Sequence, residues 1–358
     1  MKVVHLDAGR EWRGGQRQAL LLARGLAECG VESVVAAPAG SPLAERAAAG
    51  GLAVIPFAPV GDLDLVSAWG LASRVGPAAA DTVLHAHDAR SHAVALFVKG
   101  AVGPAGLPPL VVTRRSLPRR AGFFSRLKHR TGVDRYIAIS AAVRAGLLAL
   151  GVPAARIRVV ASGVEPVGAV EAVDWRRRLG LHAAVRLAGS VGALSGEKGY
   201  LDLVEALPLL PADVHLVVVG EGPEREPLLR RAAALGVEGR LHLPGHLERP
   251  REAMAGFDAY VQPSRREGLG SSAIEALALG LPTLTTDAGG LAEVVEPDVS
   301  GLQVPVADPA ALARGLARLL ADESLRARLS AGALARARAF SVEAMVEGTW
   351  AVYREVLP

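Results

Sequence analysis

The sequence predicts an α/β protein made of two doubly wound parallel-sheet domains facing a cleft. Three observations carry this. The chain has 358 residues, more than one hydrophobic core usually serves. Short apolar runs alternate with amphipathic helical stretches, the pattern of parallel βαβ units. That alternation lapses once, over 162–173 (SGVEPVGAVEAV), and then starts afresh.

In the first half the apolar runs predict strands over 2–6, 33–37, 52–56, 82–86, 110–113, 135–139 and 157–160. Helices are expected over 15–29, 91–98, 123–130 and 141–150. After the lapse, strands are expected over 185–191, 214–219, 240–243, 258–261 and 282–285, with helices over 199–210, 224–235 and 271–279. From Pro309 onward the chain is rich in alanine and arginine and reads as consecutive helices. The expected division is 1–165, 166–340 and a last helix, 341–358, that crosses back to the first domain. No repeat of fixed period interrupts this order, so a solenoid is not expected.

Composition narrows the class. The chain is 51% hydrophobic with 40 glycines and 23 prolines, which suits a glycine-punctuated globular fold rather than a disordered one. Aromatics make up 4%, so Ala, Val and Leu must build the core. The single cysteine, Cys29, excludes an internal disulfide framework and reads as a small core residue of the first helix. There is no uninterrupted apolar stretch of about 18 residues. The opening MKVVHLDAGR lacks the apolar region of a signal peptide, so a cytoplasmic protein is expected. A formal charge of +4 is too small to point to nucleic acid. It is unevenly spread, however: 114–130 carries Arg114, Arg115, Arg119, Arg120, Arg126, Lys128, His129 and Arg130 around Phe123 and Phe124, with no acidic residue.

The segment 262–275 (QPSRREGLGSSAIE) is the most informative. A strand ends, a glycine loop follows, and a helix begins near Ser271. Its first-turn amides and dipole suit a phosphate. Gly268 and Gly270 let backbone approach a ligand closely. Glu275 lies a turn into the helix and can accept hydrogen bonds from sugar hydroxyls, while Glu267 stands at the mouth of the same pocket. Ser272-Ala-Ile-Glu275 also fits a capping box, in which Glu275 only caps the first turn.

With Gly280-Leu-Pro-Thr-Leu-Thr-Thr-Asp-Ala-Gly-Gly-Leu-Ala-Glu293, this segment resembles the signature of retaining GT-B glycosyltransferases, specifically glycosyltransferase family 4. The likeness continues in order through 191–199 (VGALSGEKG), 219–223 (VGEGP), 243–247 (LPGHL), 301–305 (GLQVP) and Asp308-Pro309. In the first domain it includes Ile139-Ser140 and 162–164 (SGV). The resemblance implies that Glu275 binds the ribose of a nucleotide-diphosphate sugar and that Glu267 contacts the transferred sugar. Lys198 would neutralise the diphosphate, and Gly192, Leu247, Gly268, Leu269, Gly270, Ser271 and Ser272 would complete the donor site. Many family members carry an arginine where this chain has Ala193; Arg265, Arg266 or the Arg114–Arg115 pair are the candidates to replace it.

The loop 7–16 (DAGREWRGGQ) lacks the spacing of a dinucleotide fingerprint. It resembles the family's paired-glycine loop, making Gly14 and Gly15 donor-side residues; a plain turn using glycine at positive φ is the other reading. His85 and His87 share one face of a strand. They could be half of a metal site, but no further His, Asp or Glu cluster is seen to complete it, so no metal is expected. His87 matches the family histidine near the reacting sugar, and His85 reads as a packed residue.

The implied activity is hexosyl transfer with retention and without metal or cofactor, the nucleotide sugar being a co-substrate. The expected setting is lipopolysaccharide, glycolipid or other cell-envelope glycan synthesis. The basic run, with Arg114 and Arg115 at its head, has two readings: a solvated surface helix and loop, or a contact with a phosphorylated or lipid-linked acceptor at a peripheral place on the inner membrane face. Alternatives are a GT-B sugar-nucleotide epimerase and a non-catalytic nucleotide-sugar-binding module. A dinucleotide-dependent oxidoreductase is disfavoured by the missing fingerprint.

Overall fold

The computed structural model describes residues 1–62, 64–75, 81–101, 108–117 and 128–357. Its contacts divide the chain into two units: Met1–Gly163 with Val342–Pro358, and Val164–Ser341.

In the first unit, seven strands form an all-parallel sheet in the order β3-β2-β1-β4-β5-β6-β7. They are β1 (Lys2–Leu6), β2 (Glu32–Ala37), β3 (Ala53–Pro56), β4 (Thr82–Ala86), β5 (Leu110–Arg114), β6 (Arg135–Ala138) and β7 (Ile157–Val159). The strands are β-branched and apolar because helices cover both faces of such a sheet. The order reverses between β1 and β4, where register pairs His5 with His85. Ligands of doubly wound sheets bind outside the carboxyl ends of strands at that reversal.

The helix Val342–Arg354 belongs to this unit. Met345, Val346, Val352 and Tyr353 pack with Val3, Leu22, Leu26, Val83 and Ile137.

The second unit holds β8 (Arg186–Val191), β9 (Val214–Val219), β10 (Leu241–Gly245), β11 (Ala259–Gln262), β12 (Thr283–Thr286) and β13 (Leu302–Val304). Their order is β10-β9-β8-β11-β12-β13, all parallel, with the reversal between β8 and β11. Its core is leucine, valine and alanine, as the scarcity of aromatics requires.

Three points need correction or limits. Cys29 is exposed: the first helix, Gly14–Glu28, ends before it, and Cys29 sits in the closing turn ahead of left-handed Gly30. The helices Pro42–Ala49 and Leu65–Val75 and the strand Leu302–Val304 were not anticipated, because each is short or lacks a clean apolar period. Only 128–130 of the expected helix over 123–130 is helical among the described residues; 118–127 lie outside them.

Candidate active site

The sequence-predicted residues fall into two groups, one in each unit, and all but Leu247, Arg114 and Arg115 follow the strands that flank the strand-order reversal.

In the second unit, β11 ends at Gln262 and a loop leads to the helix Ser271–Ala278. The residue before that helix is Gly270, in the left-handed region with φ 97°, and it makes no side-chain cap. A side chain on Gly270 would also strike Leu291. Ser271 and Ser272 therefore occupy the first two helical positions, and Glu275 the fifth. A capping box needs its serine at the position Gly270 holds, so that reading fails on geometry. Glu275 is buried, 5% exposed.

The loop's carboxylate is held by several donors. Glu267 Oε2 accepts from Lys198 Nζ at 2.5 Å, Gln262 Nε2 at 2.9 Å and Ser264 Oγ at 3.2 Å. Both charged side chains are largely covered, 24% exposed for Lys198 and 15% for Glu267. Lys198 ends the short turn Gly196–Lys198 that follows β8. Gly199 next to it adopts φ 67°, and a Cβ there would collide with the Pro263 carbonyl. That close approach seats the turn against the β11 loop. The Arg265 and Arg266 amides donate to the Glu197 carbonyl at 2.9 and 3.1 Å, and Thr286 Oγ1 donates to the Ser264 carbonyl at 2.5 Å. Two loops from neighbouring strands are thus pinned into one cradle.

Gly192 follows β8 and donates to the Val219 carbonyl at 3.0 Å. Ala193 after it is exposed. Arg265, a candidate to replace the missing arginine, binds buried Asp202 in a bidentate fork at 2.7 and 2.5 Å. Arg266 lies 4.0 Å from Glu197. Leu247 is half-buried beyond the end of β10, and Leu269 is buried in the loop.

In the first unit, the loop after β1 enters the helix Gly14–Glu28. Neither Gly14 nor Gly15 has positive φ, and nothing lies within 4 Å of a Cβ built on Gly15. The plain-turn explanation of these glycines therefore does not hold. Asp7 Oδ1 accepts from Gly9 N at 2.8 Å and Gln16 Nε2 at 2.9 Å. Asp88 Oδ2 accepts from Ala8 N at 2.7 Å, and its Oδ1 from the amides of Arg90 and Ser91. Asp88 thereby ties the end of β4 to the loop after β1.

Sequence reasoning missed His5. It joins His85 and His87 in a buried cluster whose nitrogens lie within 4.8 Å of one another, so the pair does gain a third histidine. Five of the six ring nitrogens are hydrogen-bonded, and buried His5 Nε2 is not. His85 Nδ1 meets Tyr353 Oη at 2.5 Å and its Nε2 meets Thr113 Oγ1 at 2.7 Å. His87 Nε2 meets His5 Nδ1 at 3.0 Å. Burial holds all three below the ordinary histidine value, His5 to about 3, and the Arg115 charge adds to the effect.

The Arg114–Arg115 pair is not an open basic patch. Arg114 closes β5, half-buried, and Arg115 turns onto His87, donating to its carbonyl and its Nδ1, both at 3.1 Å. Arg119, Arg120, Phe123, Phe124 and Arg126 lie outside the described residues.

The sequence matches two family descriptions, "Glycosyltransferase Family 4" over residues 12–167 and "Glycosyl transferases group 1" over residues 173–336. The chain belongs to glycosyltransferase family 4. The two matches cover Gly14, Gly15, His85 and His87 and the Lys198–Glu275 cradle. The lipopolysaccharide core biosynthesis glycosyltransferase LpsE of Rhizobium meliloti is 36% identical over 174 residues, 49% of this chain and 50% of that protein. A D-inositol 3-phosphate glycosyltransferase of Xylanimonas cellulosilytica is 37% identical over 214 residues, 56% of this chain and 51% of that protein. This family 4 chain thus spans about half the length of those curated relatives. Among solved structures, the Anabaena protein HepE in complex with UDP superposes with a TM-score of 0.85 at 20% identity, covering 99% of this chain and 100% of that one. The same protein has been solved with UDP-glucose. The family 4 chain therefore has the GT-B fold, two Rossmann-like parallel-sheet domains.

Proposed function

We propose that the protein is a retaining glycosyltransferase that moves a sugar from a nucleotide-diphosphate sugar to an acceptor hydroxyl without a metal ion. The observation that carries this reading is the Lys198–Glu267 ion pair beside the uncapped helix Ser271–Ala278, with Glu275 buried a turn further on.

An incoming diphosphate competes with Glu267 for Lys198. Lys198 then neutralises the leaving group, whose charge grows as the glycosidic bond breaks. Glu267, still held by Gln262 and Ser264, turns to the sugar hydroxyls. Glu275 accepts from the ribose, and the amides of Gly268–Ser272 receive phosphate oxygens. Gly192 and Leu247 complete the donor site, and His87, Gly14 and Gly15 are assigned to the reaction by their likeness to family landmarks. The bond from the anomeric carbon to phosphate breaks, the acceptor oxygen bonds to that carbon on the same face, and its proton passes to the departing phosphate. No protein nucleophile is needed. The complexes of HepE with UDP and UDP-glucose support a nucleotide sugar as donor. The likeness to LpsE, a lipopolysaccharide core biosynthesis glycosyltransferase, supports a cell-envelope glycan as product.

The test is turnover of a panel of nucleotide sugars, measured with and without EDTA. Lys198→Ala should lower kcat by about 10²–10³-fold, and Glu275→Ala should raise the donor KM. Full activity in both variants would refute the site. Loss on metal removal would refute metal independence. A product of inverted anomeric configuration, read by NMR, would refute retention. Release of a rearranged sugar without acceptor would favour an epimerase, and no turnover at all a binding module.

A peripheral position on an anionic membrane is a second part of the reading. Val60, Leu65, Val66 and Trp69 are 90%, 61%, 82% and 72% exposed, and no helix among the described residues is long and apolar enough to cross a membrane. Lys128 bonds Asp62 at 2.9 Å, bringing the end of the basic run beside this apolar group. A tryptophan among aliphatic residues with cations nearby suits a headgroup interface. Salt-sensitive co-sedimentation with anionic vesicles, reduced in Trp69→Ser, is expected; no binding at low salt would refute it.

A further inference from the structure

We propose that Arg115 is a positioning residue: it holds His87 as a neutral ring with its proton on Nε2, unable to exchange a proton with substrate. The inference rests on the reading above only for its kinetic consequence. The hydrogen-bond geometry stands on its own.

The argument is one of donor bookkeeping. A guanidinium can only donate, so His87 Nδ1, 3.1 Å from Arg115 Nη2, must accept. A neutral imidazole carries one proton, which therefore lies on His87 Nε2. That nitrogen is 3.0 Å from His5 Nδ1, so it donates there. The reverse assignment, with His5 donating, would leave His87 with no proton at all. His5 in turn must carry its proton on Nε2, and that atom is buried without a hydrogen-bond partner. Leaving a buried donor unmatched is costly, so the array is kept at some expense to the fold. The second bond, from Arg115 Nη1 to the His87 carbonyl at 3.1 Å, fixes the backbone at the end of β4.

The surroundings reinforce the neutral state. His87 faces His5 on β1, His85 on β4, and Arg115 just beyond β5, while Tyr353 from the last helix reaches the cluster through His85. Asp7 and Asp88 act on the Arg115 guanidinium, which burial lowers only to about 10. Protonating His87 would place a second cation against one that stays charged. The positive charge at this sheet edge thus belongs to Arg115 and does not titrate near neutrality, whereas an ordinary histidine would. His87 offers a fixed ring and carbonyl, and no base.

Long-range ¹H–¹⁵N correlation spectra of the full chain with labelled histidine test this directly, with Asp or Glu left untouched and His87 assigned by the signal lost in His87→Gln. The expected wild-type signature is an unprotonated Nδ1 and a protonated Nε2 that persist from pH 8 to 5.5. Arg115→Met should release the lock, giving mixed tautomers and a titration moved toward 6.5. Arg115→Lys, which keeps a donor, should retain the wild-type signature. With donor and acceptor saturating, Arg115→Met should lower kcat about 10²-fold through misplacement and add an acid limb to the pH profile. A wild-type spectrum with a proton on His87 Nδ1, or an Arg115→Met spectrum like the wild type, would overturn the proposal. An unchanged rate in His87→Gln, alongside the expected wild-type spectrum, would instead overturn the assignment of His87 to the reaction.

Discussion

Four histidines of the first unit, His5, His85, His87 and His92, are buried and held below their ordinary value of 6.5, chiefly by loss of hydration. In the unfolded chain each takes a proton as pH falls through 6.5, whereas the folded chain resists. The unfolded state therefore binds more protons in that window, and stability rises with pH there. Stability is full above about pH 6.5 and is lost progressively below it, for His5 down to about 3. Each histidine contributes about 1.4 kcal/mol per pH unit once it titrates only in the unfolded chain. Asp7 acts in the opposite sense, since burial raises its carboxyl and low pH relieves that cost. The urea midpoint of the first unit should drop steeply between pH 7 and 5. A flat midpoint over that range would mean the histidines are charged, or solvated, in the folded protein.

At the scale of the element, the helix Val342–Arg354 is the piece on which the first unit most depends. Met345, Val346, Val352 and Tyr353 are buried in the core against β1, β4 and the helix Gly14–Glu28. Gly25 lies where a Cβ would strike Val346, so the two helices meet at close range. Glu355 follows the helix and bonds Arg135 and Arg158, both at 2.8 Å. Truncating one buried side chain of this size to alanine costs about 2–5 kcal/mol. Removing the whole segment then exceeds or equals the ~5–15 kcal/mol that holds a domain together. Deleting 342–358 should abolish the cooperative unfolding of the first unit while that of Val164–Ser341 persists. Two intact transitions in the truncated protein would show that the helix is dispensable. Tyr353→Phe is a milder probe: it removes the hydroxyl partner of His85 and leaves the packing.

Across the whole molecule, the doubly wound sheets were legible because most strands are short apolar runs, many rich in valine, that alternate with helical stretches. β1 and β4 match their expected limits, and most others shift by a residue or two. What escaped has physical reasons. The helix Leu65–Val75 buries Ala68 and Leu71 but exposes Leu65, Val66 and Trp69, so its apolar residues follow no single stripe. β13 is three residues long and gains its identity from pairing with β12. The Lys198–Glu267 cradle was visible as a series of motifs in order. The position of Glu275 relative to its cap was not, since one residue of helix start separates a capping box from a free first turn. His5 and Arg115 could not be joined to His87 from sequence, because their meeting depends on strand order and register, which place β1 and β5 on either side of β4.

The placing of Val342–Pro358 in the first unit also has a consequence for synthesis. A ribosome releases residues 1–163 long before the segment that completes their core, whereas Val164–Ser341 emerges as one uninterrupted stretch. Until that segment is made, the faces of Leu22 and Leu26 that it covers lack their partner. The first core can therefore close only after the whole of the second unit has been made.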